Sequence, residues 1–193
     1  MLADEPVRAP PDPFELAQRL AGDAGLAVLA STETKSRWGA RSFVGSEPDA
    51  STAAWDPLDR DASTRQAAPF PRWIGVLPYE ARRALERGRW IPDERRPAPR
   101  FSEVEWRRYP AILVVDHDAG TVRAVGASAA RCRDLARRAE APAPAPPRAR
   151  LRAQDGEAPE AHRERVRRAV ELIYAGDLYQ VNLARALDVA LDI

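Results

Sequence analysis

Lysine is almost absent from this chain: of its 30 Lys and Arg residues only Lys35 is a lysine, while alanine, arginine and proline abound. That bias reads as the codon usage of a GC-rich bacterial genome, and it removes the temptation to read every arginine cluster as a binding site. Cys132 is the single cysteine, so neither an internal disulfide nor a cysteine-based metal site can form. Its setting, ASAARCRDLARRAEA, reads as an exposed to half-buried helix carrying a structural thiol. The two histidines, His117 and His162, have no partner at metal-ligand spacing. No apolar run approaches the length of a membrane span, and MLADEPVRAPPDP lacks the basic and apolar regions of a signal peptide. A soluble, cytoplasmic protein with no membrane partner is expected. The net charge of +1 gives no overall reason to expect nucleic acid either.

What is present is the composition of a folded protein. Hydrophobic residues make up 45% of the 193 positions and aromatics 7%, enough for one domain with a real core plus a piece of another. Residues 1–11 are polar and proline-rich, and a loose tail is expected there. Asp12-Pro13-Phe14-Glu15 then supplies an N-cap, a proline at the first helical position and a glutamate placed for a capping box. That helix should end at Gly22. Strands are expected at Leu26–Ser31 and Ala40–Ser46 as an antiparallel pair, at Trp73–Leu77, at Arg107–Val115 and at Thr121–Gly126. His117-Asp118-Ala119-Gly120 reads as the turn of a hairpin. Helices are expected from Pro78 to Gly88 and from Ser128 to about Ala139, and residues 47–72 should be irregular because of their prolines.

Residues 12–139 therefore read as one α+β unit. Residues 140–158, EAPAPAPPRARLRAQDGEA, read as a mobile, polyproline-like Ala/Pro spacer. Residues 159–193 read as a helix followed by a strand. Val166, Ala169, Val170 and Ile173 recur at the spacing of one helical stripe, with Glu164 and Arg168 on the other face at the supportive i, i+4 separation. Gly176 follows the last apolar position and can take the left-handed conformation that stops a helix. From Tyr179 the pattern turns to period two, with Tyr179, Val181, Leu183, Leu187 and Val189 on one side of an expected strand.

Several phrases, in order, resemble component I of aminodeoxychorismate synthase and anthranilate synthase. They are VLAS at Val28–Ser31, RSFVGSEPD at Arg41–Asp49, WIGVLPYEARRALE at Trp73–Glu86, the apolar pair Ala111–Val115 and Thr121–Gly126, and AGDLYQVNL at Ala175–Leu183. The resemblance implies an antiparallel-sheet amino-terminal domain of the anthranilate synthase component I type, followed by the first helix and strand of the chorismate-binding domain. Gly176, Asp177, Gln180 and Asn182 would be the signature of that second domain, and Asn182 is more similar to the aminodeoxychorismate synthases. On spacing alone, AGDLYQVNL equally fits a plain helix-to-strand corner in which Asp177 tidies a turn and Gln180 faces solvent.

The resemblance further implies that Ser31 and Arg41 lie near a pocket that can hold tryptophan. The acidic residue the family carries before that serine is Ala30 here, and a serine at a strand end beside a surface arginine is the simpler reading. A chorismate-aminating enzyme takes ammonia from a glutamine amidotransferase subunit and binds Mg²⁺ through glutamates that, in the family, lie downstream of AGDLYQVNL. No segment matching the family's Pro-Ile-x-Gly-Thr occurs in these 193 residues. The expectation is thus an amino-terminal fragment with no catalytic residues, no metal ligands and no activity of its own. The alternatives are anthranilate synthase component I, or a non-catalytic module that binds tryptophan or an amidotransferase. The arginine runs 131–138 and 163–168 alternate with acids and read as solvated helix faces.

Overall fold

The computed structural model describes residues 2–32, 39–53, 70–78, 104–145, 150–154, 158–185 and 188–192. The chain divides into two compact units, Met1–Pro144 and Ala145–Ile193. In the first, strands β1 (Ala3–Val7), β2 (Ala27–Leu29), β3 (Arg41–Gly45), β7 (Ala111–Asp116) and β8 (Thr121–Gly126) form one antiparallel sheet in the order β1-β8-β7-β3-β2. Strands β4 (Ala50–Thr52), β5 (Trp73–Val76) and β6 (Glu105–Arg108) form a second antiparallel sheet in the order β4-β6-β5. Helices α1 (Pro13–Arg19) and α2 (Ala129–Glu140) pack on one face of the five-stranded sheet. A mixed α+β architecture with antiparallel sheets is what the sequence implied.

The core follows from strand alternation. Leu113 and Val115 of β7, Val44 of β3, and Val122 and Ala124 of β8 meet Leu16 and Leu20 around α1 and Leu135 and Ala139 of α2. Ile112 and Val125 point the other way and pack with Phe70, Phe43 and Ile74. The central strand β7 is therefore apolar on both sides, the pattern of a strand covered from above and below. Both first-unit helices begin as their sequences require. Asp12 accepts the N–H groups of Phe14 and Glu15, and Ser128 accepts that of Arg131. The helix after Asp12 stops at Arg19, short of Gly22, because Leu20 turns out of helical geometry into the core.

Several expectations for the first unit need correction. Residues 1–11 are not a loose tail: β1 pairs with β8 from Ala3↔Gly126 to Val7↔Val122, and Val7 is buried. The prolines concealed this, yet Pro6 sits in an edge strand, where a missing N–H leaves no ladder bond unmade. The stretch Arg107–Val115 is two strands in two sheets, with Tyr109 and Pro110 between the end of β6 and the start of β7. Residues 47–72 are less irregular than expected, since β4 pairs with β6. Cys132 is fully buried, with its Sγ near the Ala3 carbonyl oxygen. Burial, together with the nearby Asp4 and Glu5 carboxylates, pushes its thiol pKa up. A raised pKa means less thiolate at neutral pH, so native Cys132 should resist alkylation and react only on unfolding. Rapid labelling of the folded chain, followed by mass spectrometry, would contradict that placement. The helix expected over 79–88 lies outside the described residues.

The second unit contains β9 (Arg150–Gln154), α3 (Pro159–Ala175) and β10 (Asp188–Asp192). Helix α3 and its stop match the sequence: Gly176 takes φ 81°, and the N–H groups of Gly176 and Asp177 close on the Ile173 and Leu172 carbonyls. The expected strand from Tyr179 does not form. Residues 178–185 carry no regular structure, and β10 begins only at Asp188, paired with β9. An alternating pattern becomes a strand only where a second strand takes its backbone bonds, and among the described residues no strand pairs with 179–185. Strand β9 in turn lies inside the spacer expected to be irregular. Arg167 pairs with Glu164 and Arg168 with Glu171, in place of the expected Glu164–Arg168 contact.

Candidate functional site

Three places carry the residues of interest. At the first, β2 ends and β3 begins, and antiparallel pairing brings Ser31 and Arg41 to the same end of the sheet. They do not converge on each other. Arg41 is half-exposed and its Nε lies 3.6 Å from Asp116 Oδ2, its register partner on β7. Ser31 donates its backbone N–H to Ser42 Oγ at 2.9 Å, and the same oxygen meets His117 Nε2 at 2.8 Å. Ser42 is fully buried, one of two buried polar residues among those described. Strand alternation explains the split, because Arg41 and Ser42 must face opposite sides.

The second place lies at the other end of β2. An open, largely apolar cleft of about 200 Å³ is lined by Leu26, Ala27, Ile74, Val76 and Tyr109, with Glu105 and Arg107 at its side. Glu105 and Arg107 also line an adjoining groove of about 490 Å³ with Gly25, Pro48, Asp49 and Ser51. Every charge there has a partner: Arg107 holds Glu105 at 2.6 Å and Arg108 holds Asp49 at 2.8 Å. Tyr109 is the pin of this region. Its ring occupies the space a Cβ on Gly45 would need, and its hydroxyl donates to the Gly25 carbonyl at 2.8 Å. Burial pushes the phenol above its ordinary pKa, so it stays a donor. Gly25 itself takes φ 61°, with Pro48 packed where a side chain would stand. Beside the cleft, the indole N–H groups of Trp73 and Trp106 are buried with no acceptor among the described residues, and the Arg108 guanidinium lies 5.9 Å from the Trp73 ring centroid.

The third place is the corner after α3. Gly176, Asp177, Gln180 and Asn182 are all exposed, as is Tyr179. Asp177 closes the helix through its N–H. A Mg²⁺ ion needs a cluster of oxygen donors. Among the described residues no group of three or more His, Cys, Asp or Glu side chains could hold a metal, so those residues do not fit one. No helix among them is long and apolar enough to cross a membrane.

Sequence reasoning singled out Ser31 and Arg41 but missed Ser42, His117 and Tyr109. Ser42 and His117 are 75 positions apart, and only strand pairing joins them. For Tyr109 the following Pro110 was a usable signal, since a proline in mid-strand marks a change of course.

Compared with known families, residues 20–193 match the family described as chorismate binding enzyme. That match spans both compact units. No curated protein matches the chain.

Proposed function

Since the chain belongs to the chorismate binding enzyme family, we propose that it is the amino-terminal part of an aminodeoxychorismate synthase component I. Such an enzyme aminates the chorismate ring with ammonia delivered by a glutamine amidotransferase subunit. The observation that carries the reading beyond the family is AGDLYQVNL itself, in which Asn182 favours aminodeoxychorismate over anthranilate as product.

In this reading the 193 residues supply scaffold and partner surface. Mg²⁺, which in the complete enzyme would neutralise the chorismate carboxylate, would be held outside the described residues. Incubated with chorismate, Mg²⁺ and either ammonia or glutamine plus amidotransferase, the chain is expected to yield no aminated product. Anthranilate or aminodeoxychorismate above a protein-free control would overturn that. The partner separates the two enzyme types. Co-purification with an amidotransferase subunit of the aminodeoxychorismate type is expected, and preference for the anthranilate type would reverse the assignment.

A second reading, a free-standing tryptophan-binding module, is favoured by one observation. The cleft between Leu26 and Tyr109 joins apolar walls to a groove with charges of both signs, which suits a zwitterion with an apolar side chain. Calorimetric titration with tryptophan tests it. A micromolar dissociation constant, about −8 kcal/mol, supports the module, and no heat of binding removes it.

A further inference from the structure

We propose that Ser42 and His117 form a proton-sensitive latch that holds the end of β2 in place at Ser31. Among the described residues the Ser42 hydroxyl meets only two groups, the Ser31 N–H at 2.9 Å and His117 Nε2 at 2.8 Å. A hydroxyl has one hydrogen to donate and two lone pairs to accept with. Ser31 brings its own hydrogen, and among the described residues Nε2 alone is placed to accept the Ser42 hydrogen, so donation from Ser42 to Nε2 is the direction that satisfies all three groups. In that direction Nε2 carries no hydrogen and the ring hydrogen sits on Nδ1. His117 is held in position by its backbone N–H, which donates to the Ala40 carbonyl at 2.9 Å, at the foot of β3. One short chain of bonds thus ties β2, β3 and the turn after β7 together.

The two halves of the pair differ in access to water. Ser42 is fully buried while His117 is half-buried, so solvent protons can reach the ring but water cannot reach the hydroxyl. A proton on Nε2 turns the acceptor into a donor. Ser42 can then answer only with a lone pair, and its hydrogen is left buried with nothing to accept it, which is costly. Parting Ser31 from Ser42 relieves this by letting water in. The charged groups flanking the ring are Asp116 and Asp118 from its own turn and Arg41 from β3. Asp116 is already engaged, by Arg41 at 3.6 Å and by the Ala119 N–H at 2.9 Å. The adjacent described end of β2, Ala30 to Thr32, contributes no charge.

Histidine titrates in the range where such a device would work. With only two histidines in the chain, ¹⁵N spectra of the imidazoles can be read directly, and a His162→Gln variant identifies the His117 signals. At mildly alkaline pH the expected state is Nδ1–H with an unprotonated Nε2. As His117 takes up its proton, exchange of the Ser31 amide should quicken about tenfold beyond the intrinsic effect of pH, the loss expected for one hydrogen bond, while the Val44 and Leu113 amides stay protected. An Nε2–H tautomer at alkaline pH, or Ser31 protection unchanged through the titration, overturns the latch. In Ser42→Ala, Ser31 exchange should no longer follow the His117 proton. Persistence of that coupling without the hydroxyl would also overturn it.

Discussion

Replacing Tyr109 by alanine is expected to destabilise the first unit by about 3–5 kcal/mol, the range for deleting a large buried aromatic ring. Tyr109 is 1% exposed, lies between β6 and β7, and fills the space beside Gly45 that no side chain of its own could occupy. Its loss opens a void where the two sheets are joined by the same strand-to-strand crossing. Tyr109→Phe separates ring from hydroxyl. That change keeps the packing and leaves the Gly25 carbonyl without its donor, so about 1 kcal/mol is expected, the usual net worth of one hydrogen bond. Urea unfolding of the three proteins at equal slope gives both numbers. If alanine and phenylalanine cost the same, the hydroxyl and not the ring carries the joint, and the packing argument fails.

The second large effect is expected at Arg138. Its side chain is 22% exposed, and its guanidinium pairs with Asp23, bonds Asp134 at 3.0 Å and reaches the buried Ser46 hydroxyl at 3.1 Å. Burial lowers its pKa from the ordinary arginine value, and the two carboxylates are what make a charge tolerable there. Through these contacts the end of α2 is tied to the turn after α1 and to the residue that follows β3. Arg138→Ala leaves Asp23, itself 17% exposed, with no compensating charge. A fully buried broken pair costs about 3–5 kcal/mol, and partial exposure trims this to about 2–3 kcal/mol. Removing both charges, with Arg138→Met and Asp23→Asn together, should recover much of the loss, because an unpaired buried charge costs more than no charge at all. A double variant as unstable as the two single losses added together would show that the pair is not coupled.

These two joints show where a linear reading succeeds and where it stops. The N-cap at Asp12, the hairpin through Gly120 and the stop at Gly176 were all legible, because each depends on residues within a few positions. The strand β1 was not. Nothing in ADEPV announces a strand, and it exists because β8 presents an unpaired edge to it. The segment from Tyr179 failed in the opposite sense: its alternation is sound, yet it has no neighbour to pair with among the described residues, and it stays irregular.

The same division runs through function. Sequence by itself determined the family, through short phrases kept in order, and it determined that no disulfide can form within the chain and that α3 must stop at a glycine. Those are properties of residue type and local spacing. Only the tertiary structure decided that Ser31 and Arg41 share a sheet end without sharing a site. It alone joined Ser42 to His117 across 75 positions, made Tyr109 the pin beside a cleft, and buried Cys132. Each of these depends on which strands lie side by side and in what register. A hydrogen bond is decided within a few ångströms in space, and separation along the chain carries no such information until the sheet is built.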